Sequence, residues 1–166
     1  MKKLLAATVA VLAGPVAGLA FAGAPLSVPT QGQRTFEAKL NVKQEVPKPR
    51  PAGLSGKGTF KATGGFTCRP GETICDRKPG RFTWTLRFSG LSGPAVAAHI
   101  HIGRPGKAGP VAIPLCAPCK ARSGGSFRVT RKHMNDILDR GAYVNVHTAK
   151  NPAGEIRGRI FVAAVL

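Results

Sequence analysis

Two stretches decide the reading of this chain: Val96-Ala97-Ala98-His99-Ile100-His101-Ile102-Gly103 and Ala142-Tyr143-Val144-Asn145-Val146-His147-Thr148. Strand side chains alternate between faces. In the first stretch Ala98, Ile100 and Ile102 share one face and His99 and His101 the other. In the second, Val144 and Val146 oppose Tyr143, Asn145 and His147. Three of the 4 histidines therefore lie opposite an aliphatic stripe. The second stretch runs on through Asn151-Pro152-Ala153-Gly154, which reads as a turn, into Glu155-Ile156-Arg157-Gly158.

Working outward, the same alternation recurs. Phe36, Ala38, Leu40 and Val42 face one way and Glu37, Lys39 and Asn41 the other, which predicts a half-buried strand over residues 35–42. Residues 56–63 repeat the pattern with Phe60 and Ala62 inward. Residues 81–91 carry its clearest form, with Phe82, Trp84, Leu86 and Phe88 against Thr83, Thr85 and Arg87. Trp84 is expected in the core. Pro47, Pro49 and Pro51 exclude regular strand from residues 45–51. Further short strands are predicted over 96–102, 111–115, 125–129, 142–148 and 156–165. One helix is predicted over 130–140, with Thr130 as N-cap, a stripe of Met134, Ile137 and Leu138, and Gly141 as stop. Short strands between turn signals, with a single short helix, predict an all-β fold. The expectation is a Greek-key or immunoglobulin-like β-sandwich.

Residues 1–22 have the make-up of a secretory signal. Lys2 and Lys3 are followed by an apolar run to Phe21 and by the small-residue pattern Ala20-Phe21-Ala22. Residues 23–34 then read as a flexible leader, and residues 35–166 as one domain. No later apolar run is long enough for a bilayer span, so no transmembrane segment is expected after signal cleavage. The predicted location is outside the cytoplasm, in the periplasm or beyond the cell.

Charge is the second compositional fact. The chain has 25 Lys and Arg against 7 Asp and Glu, a formal net charge of +18. Removing Lys2 and Lys3 leaves 23 against 7, or +16. Such an excess attracts polyanions, and an anionic envelope surface is the natural partner for an exported chain. The basic residues are scattered, with no run of basics interleaved with aromatics. This argues against a dedicated nucleic-acid site.

The cysteines are Cys68, Cys75, Cys116 and Cys119. An even count behind a signal reads as disulfides. Cys68 and Cys75 bracket a turn-rich loop that local pairing would staple. Cys116-Ala117-Pro118-Cys119 has redox-motif spacing, but redox chemistry needs that motif at a helix start within a βαβ unit. Here it follows a strand-like segment and precedes a Gly/Ser-rich one, which favours a structural bridge.

The histidines carry the chemistry. Residues i and i+2 of a strand lie about 6.5–7 Å apart, so His99 and His101 can converge on one ion. His147 from a neighbouring strand completes three nitrogen ligands, a set that suits zinc or copper. Glu155 is a candidate fourth ligand or orienting group, with Tyr143, Asn145 and Arg157 around it. The alternative is a hydrogen-bonded network in which the histidines pair with Tyr143, Asn145, Thr148 or Glu155 and lock two strands together. Glu155 and Arg157, two apart on an extended segment, are expected to form a salt bridge. No Ser/His/Asp or Cys/His catalytic spacing stands out.

Several of these segments together resemble a known family. His99-Ile100-His101-Ile102-Gly103 followed by Gly109-Pro110-Val111 is similar to the first signature of the CHRD domain, and Tyr143-Val144-Asn145-Val146-His147-Thr148 with Asn151-Pro152-Ala153-Gly154-Glu155-Ile156-Arg157-Gly158 to the second. Phe36-Glu37-Ala38-Lys39-Leu40 with Glu45-Val46-Pro47 fits its first strand and loop. The family is named after chordin, an extracellular antagonist of growth factors, and its bacterial members are exported. The resemblance implies a β-sandwich that binds a partner rather than catalysing a reaction. The cysteine pairs and the basicity are not part of the family pattern. His-x-His on a strand also resembles copper/zinc superoxide dismutase more weakly, because neither a bridging histidine nor the zinc-ligand loop is recognisable. Three functions follow as expectations: a non-enzymatic binding or interaction module of the cell envelope that meets an extracellular protein; a copper or zinc protein using His99, His101 and His147; and a basic structural protein adsorbed to anionic envelope polymers.

Overall fold

The computed structural model describes residues 33–67, 78–139 and 141–165. The expected signal peptide, the leader up to residue 32, and Cys68 and Cys75 lie outside the described residues.

The strands are β1 (Gln33–Asn41), β2 (Lys57–Thr67), the two-residue β3 (Lys78–Pro79), β4 (Arg81–Ser89), β5 (Ala95–Ile102), β6 (Val111–Cys116), β7 (Arg122–Arg128), β8 (Ala142–Thr148), β9 (Ile156–Arg159) and β10 (Phe161–Val165). A 3-10 turn over Val42–Gln44 follows β1, and the helix α1 is Arg131–Leu138. The order across the sheet is β6-β5-β8-β9-β1-β2-β4-β7, with β10 on β1 and β3 on β2. After β6, β7 and α1 the chain returns to place β8 beside β5, a Greek-key arrangement. The edges β6 and β7 approach each other, so the sheet nearly closes on itself. The expected sandwich is thus one continuous antiparallel sheet folded over a single core, with β1 joining its halves by pairing with both β2 and β9.

Alternation explains the core. Phe36, Ala38 and Leu40 of β1, Phe60 and Ala62 of β2, and Phe82, Trp84 and Leu86 of β4 are buried. Across from them lie Ala98, Ile100, Val144, Val146 and Ile156. Phe36 meets Phe82 at 5.3 Å between ring centroids, and Phe60 stacks on Trp84 at 6.5 Å. Fully burying side chains of this size contributes about 1.5–3 kcal/mol each. In α1 Thr130 caps as expected, its side chain accepting from the His133 N–H, and Met134 and Ile137 are buried. The helix stops two residues before the predicted end, with Asp139 rather than Gly141 at its boundary.

Several strand boundaries differ from expectation: β2 runs four residues further, β4 stops two residues sooner, β7 begins three residues earlier, and Val42 leaves β1 for the 3-10 turn. β1 begins at Gln33, taking in two residues assigned to the leader, because Gln33 and Arg34 pair with Gly65 and Gly64. The strand expected over 156–165 is broken at Ile160. That residue is buried, and its N–H bonds to the Ala142 carbonyl while the chain passes from β8 pairing to β1 pairing.

Cys116 and Cys119 form a disulfide with a Cα separation of 5.2 Å. It lies where β6 ends and a turn leads into β7, and the Cys119 N–H bonds to the Ala95 carbonyl. A motif at a strand end and not at a helix start fits the structural role. Alkylation of the denatured, unreduced protein should leave Cys116 and Cys119 unlabelled, and mass spectrometry that finds them both labelled would overturn the bridge. Phe60→Ala should lower stability by about 3–5 kcal/mol in denaturant titration, since it empties the space against Trp84. A loss under about 1 kcal/mol would mean that this part of the core can collapse onto the gap.

Candidate metal centre

β5 and β8 are direct neighbours, with His99 opposite Asn145, His101 opposite Tyr143, and Ala97 opposite His147. The register shifts between Ala95 and Ala97, a bulge of the kind that re-aims side chains. The aliphatic faces of both strands are buried as expected. The histidine face is covered as well: His101 is 7% and His147 8% exposed, and His99 is the more open member. All seven residues of β8 are buried.

The three rings converge. Centroids lie 4.9 Å apart for His99 and His147, and 5.6 Å apart for His101 with each of the other two. One nitrogen of each falls within 4.8 Å of the others. Hydrogen-bond partners fix which nitrogen is free. His101 Nδ1 lies 2.9 Å from the Gly109 carbonyl oxygen, and His147 Nδ1 3.0 Å from that of Pro152. A carbonyl only accepts, so both Nδ1 atoms carry the proton and both Nε2 atoms carry a lone pair. His101 Nε2 is buried without a partner. His99 Nδ1 lies 3.1 Å from His147 Nε2. That separation also matches two nitrogens on one metal, which at about 2.0–2.1 Å per bond sit about 2.9–3.4 Å apart.

Burial lowers the proton affinity of all three imidazoles. His147 falls to about 4, with burial outweighing the Pro152 carbonyl and the neighbouring histidines adding to the fall. His101 is lowered by burial and by the Arg157 charge against the pull of the Gly109 carbonyl. His99 is lowered by burial and by His101. At neutral pH the lone pairs are therefore not taken up by protons.

The surrounding residues sort differently from the sequence reading. Tyr143 stacks on His101 at 5.1 Å between ring centroids and an interplanar angle of 12°. Its hydroxyl accepts from the Gly109 N–H at 2.9 Å, so Tyr143 and His101 grip the same residue. Gly109 has to be glycine, since a Cβ there would fall 1.8 Å from the Ile102 carbonyl oxygen. Arg157 reaches the site through Tyr143, its guanidinium carbon 3.6 Å from the ring centroid. Asn145 turns instead to Glu45 and to the Ala153 carbonyl, both at 3.4 Å.

Glu155 is not beside the histidines. Its carboxylate accepts from Ser92 N–H and Oγ, Thr148 Oγ1 and Asn151 Nδ2. Burial would raise this carboxyl, but those four bonds hold it below the usual range. The expected salt bridge to Arg157 does not form either. β9 starts at Ile156, so Glu155 belongs to the bend and strand alternation does not reach it.

The carboxylate nearest Arg157 is one that the sequence reading did not single out. Glu45 is fully buried, its Oε1 accepting from the Val46 N–H at 3.0 Å, and burial pushes its carboxyl up to about 7. Its Oε2 and Asn145 Oδ1 both lack partners. Both lie close to Gly154, where a Cβ would meet Asn145 at 2.4 Å and Glu45 at 2.7 Å and where φ is 129°. In the sequence Glu45 stood only as part of the Glu45-Val46-Pro47 loop that fits the CHRD pattern, in a proline-rich stretch excluded from regular strand, and nothing there marked it as a buried group.

The model of one family, the CHRD domain, matches residues 36–160. No curated protein and no solved structure matches the chain.

The two kinds of buried group pull stability in opposite directions with pH. His147, with its folded value of about 4 below the ordinary 6.5, contributes fully above pH 6.5 and loses that contribution as pH falls toward 4. Glu45, raised from 4.5 to about 7, contributes fully below pH 4.5 and loses it as pH rises toward 7. Replacing Glu45 with Gln removes the second slope alone. The stability of Glu45→Gln relative to wild type should therefore rise between pH 4.5 and 7, by on the order of 2–3 kcal/mol in urea titrations. Parallel curves would show that Glu45 does not titrate in that window.

Proposed function

The chain belongs to the CHRD domain family, and we propose that it is an exported, non-enzymatic binding module whose histidine triad holds a copper or zinc ion. One observation carries this reading. His101 Nε2 is buried with no partner while its Nδ1 is tied to a backbone carbonyl, and His147 repeats that tie. An unpaired acceptor costs about 1–3 kcal/mol when buried. A metal ion would satisfy it together with His147 Nε2 and His99 Nδ1. Carbonyl groups that fix the tautomer of a ligating histidine are the usual support of such a site. Three imidazoles without thiolate or carboxylate suit copper and zinc, and the order of affinities favours copper among divalent ions. His99, the most open of the three, faces the side from which a fourth ligand would enter.

Export rests on the signal-like residues 1–22 and on the disulfide. No helix among the described residues is long and apolar enough to cross a membrane. The surplus of positive charge supports a further role in which the domain adsorbs to anionic envelope polymers.

The test is elemental analysis of the mature protein purified without an affinity tag, followed by titration of the stripped protein with copper and with zinc. About one ion per chain is expected, with copper displacing zinc. His101→Ala and His147→Ala should each weaken binding by at least about tenfold. Absence of any bound or bindable metal, with both variants merely less stable, would leave the triad as a strand-locking hydrogen-bond network.

A further inference from the structure

On the far side of Tyr143 from the histidines lies a second site of opposite preference. A pocket of about 370 Å³ opens there, lined by Lys43, Lys48, Arg157 and Arg159 together with Tyr143 and the loop that carries Gly106. None of its lining residues is acidic. Four cations around one cavity repel one another, and the carboxyl nearest them, Glu45, lies outside the lining and is pushed toward its neutral form by burial.

Arg157 separates this pocket from an ordinary basic surface. It is 5% exposed, and its Nη1 is buried without a hydrogen-bond partner. Its guanidinium lies over the Tyr143 ring, which holds the group in place and leaves its N–H edge to find partners in its own plane. The nearest carboxylate does not supply them. Glu45 Oε1 is engaged by the Val46 N–H and by Asn145, and Glu45 Oε2 is itself without a partner. Lys48 donates one of its protons to the Lys43 carbonyl, which fixes its ammonium at the mouth of the pocket. Arg159 is the next residue on the same face of β9.

The geometry points to an oxyanion site of the phosphate class, with Arg157 as the buried anchor and Lys43, Lys48 and Arg159 around it. A guanidinium held over Tyr143 at the pocket wall with an unpartnered Nη1 suits a phosphate as a fixed charge and donor, and the lysines supply charge without demanding geometry. The volume has room for a phosphate ester and not only for the bare ion. The site is complete without a metal in the triad.

Calorimetric titration of the mature protein with inorganic phosphate at low ionic strength tests it. One saturable site is expected. Lys43→Gln combined with Arg159→Gln should weaken it by at least about tenfold with the fold intact by circular dichroism, and Arg157→Lys, which keeps the charge and loses the fork, should weaken it similarly. Arg87→Gln, on β4 and outside this pocket, should leave it unchanged. Phosphatidylglycerol vesicles form the second arm. Vesicle binding displaced by phosphate and lost in the Lys43/Arg159 variant assigns the phosphate to a lipid headgroup, and saturable phosphate binding without vesicle binding assigns it to a soluble phosphate ester. Absence of saturable phosphate binding, or an equal loss in Arg87→Gln, would overturn the site and leave only diffuse attraction to a basic protein.

Discussion

The pairing of β5 with β8 is the constraint on which the rest depends. It joins two segments more than forty residues apart in the chain, with His99 set against Asn145 and His101 against Tyr143. Strand side chains have a period of two, so a slip of one residue would send the histidines into the aliphatic core and Ile100 to their place. That slip is resisted from both sides. Ala98, Ile100, Val144 and Val146 fill the core, and Gly109, gripped by His101 and Tyr143, fits only against Ile102 and Gly103. The register thus fixes the core and the polar cluster together, and neither can be satisfied in another alignment.

Burial of the second face then sets the chemistry. A half-exposed histidine row would titrate near its ordinary value and spend its nitrogens on water. Here loops from three parts of the chain, bearing Glu45, Gly109 and Pro152, close over it. Desolvation disfavours charge of either sign. It lowers the imidazoles and raises the Glu45 carboxyl, so the groups around the histidines are driven toward neutrality except at Arg157, which cannot shed its proton, while Glu155 stays charged in its own cage of four donors. Arg157 keeps its charge there, lying over the Tyr143 face and attracting the Glu45 carboxyl without a hydrogen bond to it.

Much of this was legible in the sequence, and the limits have physical causes. The alternation of Phe36 to Leu40 and of Phe82 to Leu86 placed the core because period two survives wherever one face is buried. Trp84 lies in that core as read. The convergence of His99, His101 and His147 followed from alternation together with a strand adjacency that the CHRD resemblance implied and no spacing in the sequence fixes. The pairing of Glu155 with Arg157 failed because alternation was applied one residue beyond the strand. Both faces of β8 proved buried, which a pattern of valines opposed to polar residues does not announce. The partners that fix the histidine tautomers are backbone carbonyls of Gly109 and Pro152, and a carbonyl is the same group in every residue. Glu45 reaches the cluster from a loop a hundred residues away from Asn145, and no local spacing encodes such a contact.

A cation held by the triad and an anion held beside Arg157 would be coupled by their charges. Arg157 already lowers the proton affinity of His101, and the same field opposes any cation held by the triad, more strongly for a doubly than for a singly charged ion. An anion seated against Arg157 would offset that field and so ease the entry of a cation on the histidine side, and by linkage a bound cation would strengthen the hold on the anion by the same factor. The Tyr143 ring, stacked on His101 and covered by the Arg157 guanidinium, would stand between the two ions. A phosphate-class anion beside Arg157 would offset that charge where it bears on His101 most directly.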